Sequence, residues 1–169
     1  MLVLTFGDSG VMFDSMIDPR DRLGYRHVEA TLAGLMSVDR KSMGAFRAKL
    51  RHLRNIGVPQ LPSPGSGRPI EYSRLHALEL MIALELEKLG HSPRSVALNA
   101  PSIVAQAFSG QPEEDDCRVM IHESVPGYTI AWTEAAFFKY VMKAPNVFTV
   151  INVSGCVRRL DDALDRVVG

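Results

Sequence analysis

The decapeptide QLPSPGSGRP, Gln60–Pro69, holds three prolines and two glycines. Proline removes a backbone donor and fixes φ, and glycine is costly to order, so this stretch is neither helix nor central strand. The fold must accommodate an excursion here. Ile70-Glu71-Tyr72 then alternates like a short strand. A proline-stiffened, glycine-tipped excursion is how a hairpin wing is made; a flexible surface linker is the plainer alternative.

The flanking residues narrow the choice. In YRHVEATLAGL, Tyr25–Leu35, the residues Val28, Leu32 and Leu35 recur at helical spacing. Ser37-Val38-Asp39 interrupts, and Asp39 or Ser42 is placed to cap a second helix. Met43, Phe46, Leu50 and Leu53 make one apolar face of that helix, with Arg47, Lys49, Arg51 and Arg54 expected on the opposite face. Gly57 stands where a helix C-cap belongs, with Pro59 just beyond. Two short helices joined by a tight turn make a helix-turn-helix. After the excursion, Ser73 caps a long helix, RLHALELMIALELEKLG, that ends at Gly90. Its leucines cover more than one stripe, so it should be largely buried, with Glu79, Glu85 and Glu87 as its solvent edge. Ser92 or Ser95 starts a further helix over roughly residues 93–109, which Asn99-Ala100-Pro101 should break into two pieces.

Charge singles out the same region. The chain has 19 basic and 19 acidic residues, yet Val38–His76 carries eight Lys/Arg against two acids, Asp39 and Glu71. Such asymmetry points to a polyanion-facing surface on an otherwise acidic molecule; a helix that is merely basic on its solvent face is the competing reading.

Beyond Gln111–Asp116, a proline and four acids that read as a solvated linker, the texture changes. RVMIHES and YTIAWT alternate around Pro126-Gly127 as a hairpin. Thr133 caps a helix, TEAAFFKYVMK; NVFTVINV, Asn146–Val153, is the best strand in the chain. A last helix, CVRRLDDALDRVV, puts Val157, Leu160, Leu164 and Val167 on one face. The expected architecture is mainly α with a small α/β part. A winged helix-turn-helix head is followed by helices and a C-terminal β-β-α-β-α unit. The expected divisions are a tail over 1–24, a DNA-binding domain over 25–110, a linker over 111–116 and a small α/β dimerisation or effector domain over 117–169.

Other classes find less support. GDSG at Gly7–Gly10 matches serine-hydrolase nucleophile motifs but lacks a strand–elbow–helix context. Cys117 and His122 have no second pair to complete a zinc set. No Gly-rich phosphate loop follows a strand, and no catalytic set coheres, so neither an enzyme nor a cofactor or metal is expected. No apolar run spans a bilayer, and MLVLTFGDSGVMF is a poor signal peptide, so the expected location is cytoplasmic, at the nucleoid. Cys117 and Cys156, far apart in sequence, suggest reduced thiols, with a bridge left open.

The run from about Tyr25 to Asn99 resembles the DNA-binding domain of MerR-type regulators. Leu50–Gly57, LRHLRNIG, is similar to the family's LRYYExxG segment, with Arg51 six residues before the glycine. Gly67-Arg68 and Tyr72 resemble its wing motif GxRxY, and Leu89-Gly90-His91-Ser92 with Val96 resembles LGFSLxxI. His52-Leu53 replaces the family's tyrosine pair, Pro62 falls one residue late, and the acidic linker and α/β unit replace the usual long dimerising helix. The resemblance covers under half the chain and implies DNA binding, not metal or drug sensing.

On this reading the contact set is Arg40, Lys41, Arg47, Lys49, Arg51, His52, Arg54, Arg68 and Tyr72. Arginine is the usual bidentate partner of guanine, and other cations hold phosphates and set register. The resemblance makes Arg51 the phosphate anchor. Arg68, on the wing, would reach a neighbouring phosphate or the minor groove. Tyr72 either packs the wing or meets a phosphate, packing being favoured. The expected partner is double-stranded DNA, bound by a homodimer, with transcription or recombination machinery as a further contact in a bacterial or phage-like setting. Two alternatives stand beside it: a protein-interaction adaptor, or a small-molecule sensor acting through the C-terminal unit, where Trp132, Phe137, Phe138 and Tyr140 would line a pocket, a core or a dimer seam.

Overall fold

The computed structural model describes residues 22–61, 69–109, 117–122, 128–131, 134–142 and 148–168. Six helices and a small antiparallel sheet make up these residues: α1 (Tyr25–Leu35), α2 (Met43–Asn55), α3 (Arg74–Lys88), α4 (Pro93–Ser109), β1 (Arg118–His122), β2 (Tyr128–Ala131), α5 (Glu134–Val141), β3 (Phe148–Asn152) and α6 (Val153–Val168). Among the described residues, no helix is long and apolar enough to cross a membrane.

Helix α3 organises the packing. Every residue from Ala77 to Leu84 is buried, and Leu86 as well. It packs against α1, α2, α4 and α6, and α6 also lies along α1. One continuous apolar core therefore joins Val28 and Leu32 of α1, Leu50 and Leu53 of α2, Ile103 and Val104 of α4, and Leu160 and Leu164 of α6. Burial in α6 centres on Val153, Cys156, Leu160, Ala163 and Leu164, while Val167 is exposed. The expected apolar face is thus rotated away from Val167 toward Cys156.

The sheet has the order β2-β1-β3, both pairs antiparallel. Alternation along β1 splits its side chains. Val119 and Ile121 join the helical core together with Ile151 of β3. Met120 is buried on the other face, where the Arg118 guanidinium lies 4.9 Å from the centre of the Phe137 ring of α5. The start of α6 is tied to the entry of β1: Val153 N–H donates to the Cys117 carbonyl at 2.9 Å, and Cys117 N–H donates to Ser154 Oγ at 2.8 Å. Asn152 caps α6 by accepting the Gly155 N–H at 2.7 Å. Both cysteines are buried and are not bridged to each other.

Three helices stop in the same way. After α2, Gly57 N–H donates to the Arg54 carbonyl and Val58 N–H to the Leu53 carbonyl, with Gly57 at φ +89°. After α3, Gly90 at φ +88° and His91 make the equivalent bonds to Glu87 and Leu86. These are Schellman stops, in which a left-handed residue lets its own amide and the next one satisfy orphan carbonyls. After α1 the same pair of bonds forms, from Ser37 to Gly34 and from Val38 to Ala33, but the left-handed residue is Ser37, at φ 52°.

Four expectations need correction. The tail does not extend to residue 24: Leu23 is 1% exposed and exchanges two backbone hydrogen bonds with Tyr72, at 2.7 and 2.9 Å. This pair is an isolated bridge, so Ile70–Tyr72 is not a strand of its own. Helix α4 runs unbroken through Pro101; Ala100, Pro101, Ile103 and Val104 are all buried, and that burial outweighs the one hydrogen bond proline cannot donate. Glu79 is not at a solvent edge but 8% exposed, where its Oε2 accepts the Gln60 N–H at 3.0 Å. The linker, the Pro126-Gly127 turn and GDSG lie outside the described residues.

Candidate nucleic-acid interface

Helix α2 is built for two environments. At about 100° per residue, Met43, Phe46, Leu50 and Leu53 fall in one arc, and the last three are buried. Gly44, Ala45, Ala48, Arg51, His52 and Asn55 fall in the opposite arc, and all six are exposed. The outward face is therefore a strip of small residues edged by a cation, an imidazole and an amide. Just ahead of it lie Arg40 and Lys41, exposed in the turn that leads into α2. That turn is held by Asp39, whose Oδ1 accepts the Ser42 N–H at 2.7 Å. Hydrogen bonds from Ser42 hold the Asp39 carboxyl below its ordinary pKa.

The cations expected on that face divide into two groups. Arg40, Lys41 and Arg51 face solvent with no acidic partner among the described residues, and His52 is exposed beside them. Arg47, Lys49 and Arg54 instead sit at the borders of the apolar arc and turn back onto the protein. Arg47 Nε donates to Glu29 Oε1 of α1 at 2.8 Å. Lys49 Nζ lies 3.1 Å from Glu87 Oε2 of α3. Arg54 is half-buried, its guanidinium 5.8 Å from the centre of the Tyr25 ring and its Nη1 donating to the Tyr72 hydroxyl at 3.3 Å. The even cationic face expected of α2 is corrected accordingly, because border positions lie within reach of acids and rings on α1 and α3.

Tyr72 is 1% exposed, which removes it from the surface contact set. Its ring lies 6.4 Å from that of Tyr25, and Arg54 is shared between the two. Burial raises the Tyr25 hydroxyl pKa, and the neighbouring Glu29 carboxylate raises it further. The trio locks the end of α2 to α1 and to the chain returning from the excursion. Arg68 lies outside the described residues.

The base of the excursion is itself pinned. Ser73 and His76 form a reciprocal cap at the start of α3: His76 N–H donates to Ser73 Oγ at 3.2 Å, and Ser73 N–H donates to His76 Nδ1 at 3.0 Å. An acceptor Nδ1 requires a neutral ring, and burial lowers the His76 pKa. Glu79, one turn on, grips the Gln60 amide, and its own desolvation raises its carboxyl.

One residue of this arrangement escaped the sequence reading and another was misplaced by it. Glu29 has no motif; the one available signal was an acid placed at the border of an apolar arc, where a carboxylate needs a cation. Glu87, expected at the solvent edge of α3, instead has a side chain only 13% exposed and meets Lys49. Away from α2, a groove of about 330 Å³ runs between α3 and the β3–α6 junction, lined by Glu85, Leu89, Val150, Ile151, Cys156 and Arg159 among others. Burial pushes the Cys156 thiol up to about 11, so it is no nucleophile at neutral pH. Among the described residues no three His, Cys, Asp or Glu side chains gather as a metal site. No model of a known protein family matches the chain, and no curated protein matches it.

Proposed function

We propose that this chain is a sequence-specific DNA-binding protein with a MerR-like winged helix-turn-helix head, in which α1 and α2 form the helix-turn-helix and α2 is the recognition helix. The observation that carries the reading is the outward face of α2. Small residues at Gly44, Ala45 and Ala48 let a helix backbone approach base edges, and alanine methyls suit the thymine methyl. Arg40, Lys41 and Arg51 border that strip as exposed cations, suited to phosphates on either side of a major groove. A helix that was basic only for solubility would not need this division.

One head of this size makes few base contacts, so two heads on a repeated half-site would act together as a homodimer. The role would be transcription regulation, in a cytoplasmic, nucleoid-associated setting. The test is binding of a labelled random-sequence duplex, followed by fluorescence anisotropy across a salt series. Affinity should fall linearly on a log–log plot, and Arg51→Ala should reduce the slope by about 0.9, the loss of one phosphate contact. A flat salt dependence would count against the proposal.

A further inference from the structure

On each flank of α2 a cation that could face a polyanion is held by an acid of the protein body. Glu29 is 8% exposed and bonds Arg47 at 2.8 Å, while the Arg47 side chain keeps 57% of its surface open. Glu87, with a side chain 13% exposed, pairs with Lys49 at 3.1 Å, and the lysine side chain is 44% exposed. In both pairs the carboxylate is the deeply placed partner and the cation the accessible one. A carboxylate so far out of water needs its counter-ion, so the cation is retained by the acid's burial more than by its own environment. Arg54 differs, since the Tyr25 ring and the Tyr72 hydroxyl hold it.

From this the geometry points to a charge latch. Glu29 and Glu87 keep Arg47 and Lys49 folded against α1 and α3, and so limit indiscriminate binding to the phosphate backbone. The inference rests on the DNA-binding reading above and assigns a regulating role to acids that would never touch the nucleic acid. Only a duplex docked in register would place a phosphate close enough to compete for Arg47 or Lys49. Random sequence would be bound mainly by Arg40, Lys41 and Arg51.

The test uses the full chain and a labelled random-sequence duplex across a salt series, with thermal melts of every variant. Glu29→Gln keeps a hydrogen-bond acceptor for Arg47 but removes the charge. It should bind several-fold more tightly at low salt, with a slope steeper by about 0.9. Glu87→Gln should do the same through Lys49, and it carries the test if Glu29→Gln melts below the assay temperature. The gain should vanish in Glu29→Gln/Arg47→Ala. A gain that survives removal of Arg47 overturns the latch, because weakened long-range repulsion would then be its cause. Wild-type slopes in both glutamine variants, together with a shallower slope in Arg51→Ala, also overturn it while leaving the DNA reading intact. No salt-dependent binding by the wild type, and no effect of Arg51→Ala, would overturn the reading and the latch together.

Discussion

At the scale of single residues, a few side chains hold unusual conformations or protonation states. Ser37 ends α1 in the left-handed region at φ 52°, where α2 and α3 use glycine. A Cβ there costs about 1–2 kcal/mol, and glycine returns part of that as unfolded-state entropy. Ser37→Gly should therefore raise stability by about 0.5–1 kcal/mol, read as a higher denaturation midpoint at an unchanged m-value. His76 makes a pH prediction. Its folded pKa is depressed by burial, so the folded state binds fewer protons than the unfolded chain. The stability it supplies is complete above the unfolded pKa of about 6.5 and is lost as pH falls through the folded value. Glu79, its carboxyl raised by desolvation, acts in the opposite sense, losing stability as pH rises above the ordinary carboxylate range. Melts between pH 7.5 and 5.5 should show falling stability that flattens in His76→Gln. These roles were only partly legible. Ser73 as a cap could be read from its position, but His76 as its reciprocal partner could not, because the usual third residue of such a box is Glu or Gln. Glu79 was misread because charge alone suggests solvent, whereas a loop amide from Gln60 meets it inside.

At the scale of elements, periodicity was a good guide wherever an apolar face meets one neighbour. The arc of Phe46, Leu50 and Leu53 is buried as its spacing indicates. Leu53, 0% exposed, should cost about 2–5 kcal/mol on truncation to alanine, measured by chemical denaturation. The opposite side of α2 was read less well, because a one-dimensional pattern separates buried from exposed but not exposed from bordering. Arg47 and Lys49 turn back onto α1 and α3, which the sequence of α2 alone does not contain. Proline misled for a related reason: Pro101 predicts a break from local sterics, but tertiary burial of Ala100, Ile103 and Val104 holds α4 together. The outward face makes its own prediction. Ala48→Glu is exposed and remote from the core, so its melting curve should match the wild type within about 0.5 kcal/mol. Duplex affinity should fall at least tenfold, because a carboxylate would then face phosphates.

At the scale of the whole molecule, what joins α3 to the C-terminal helix α6 is a polar tie over a shared core. Arg74, the first residue of α3, forms a two-pronged contact with Asp161 of α6, its Nη2 donating to Oδ2 at 2.6 Å. Its guanidinium also lies 5.8 Å from the centre of the Phe108 ring of α4. An arginine at a helix N-terminus opposes the helix dipole, and the Asp161 carboxylate beside it restores the favourable sign. Asp161→Ala should cost about 1.5–3 kcal/mol, as expected for a hydrogen bond to a charged group. A double-mutant cycle with Arg74→Ala should show strong coupling. No sequence pattern announced this pair, since 87 residues separate its members. The mainly helical composition and the small sheet were legible from periodicity; the way α6 lies along α1 was not, because helix order does not fix which faces meet.

The central claim, that the outward face of α2 reads DNA, is tested most directly by selecting bound fragments from random genomic DNA. Wild type and an Arg40→Ala/Lys41→Ala/Arg51→Ala variant would be compared at two salt concentrations. The wild type should enrich one motif, present as a repeat, and the variant should lose it with the fold intact by circular dichroism. Equal recovery by both proteins, with no motif enriched at either salt, would contradict it.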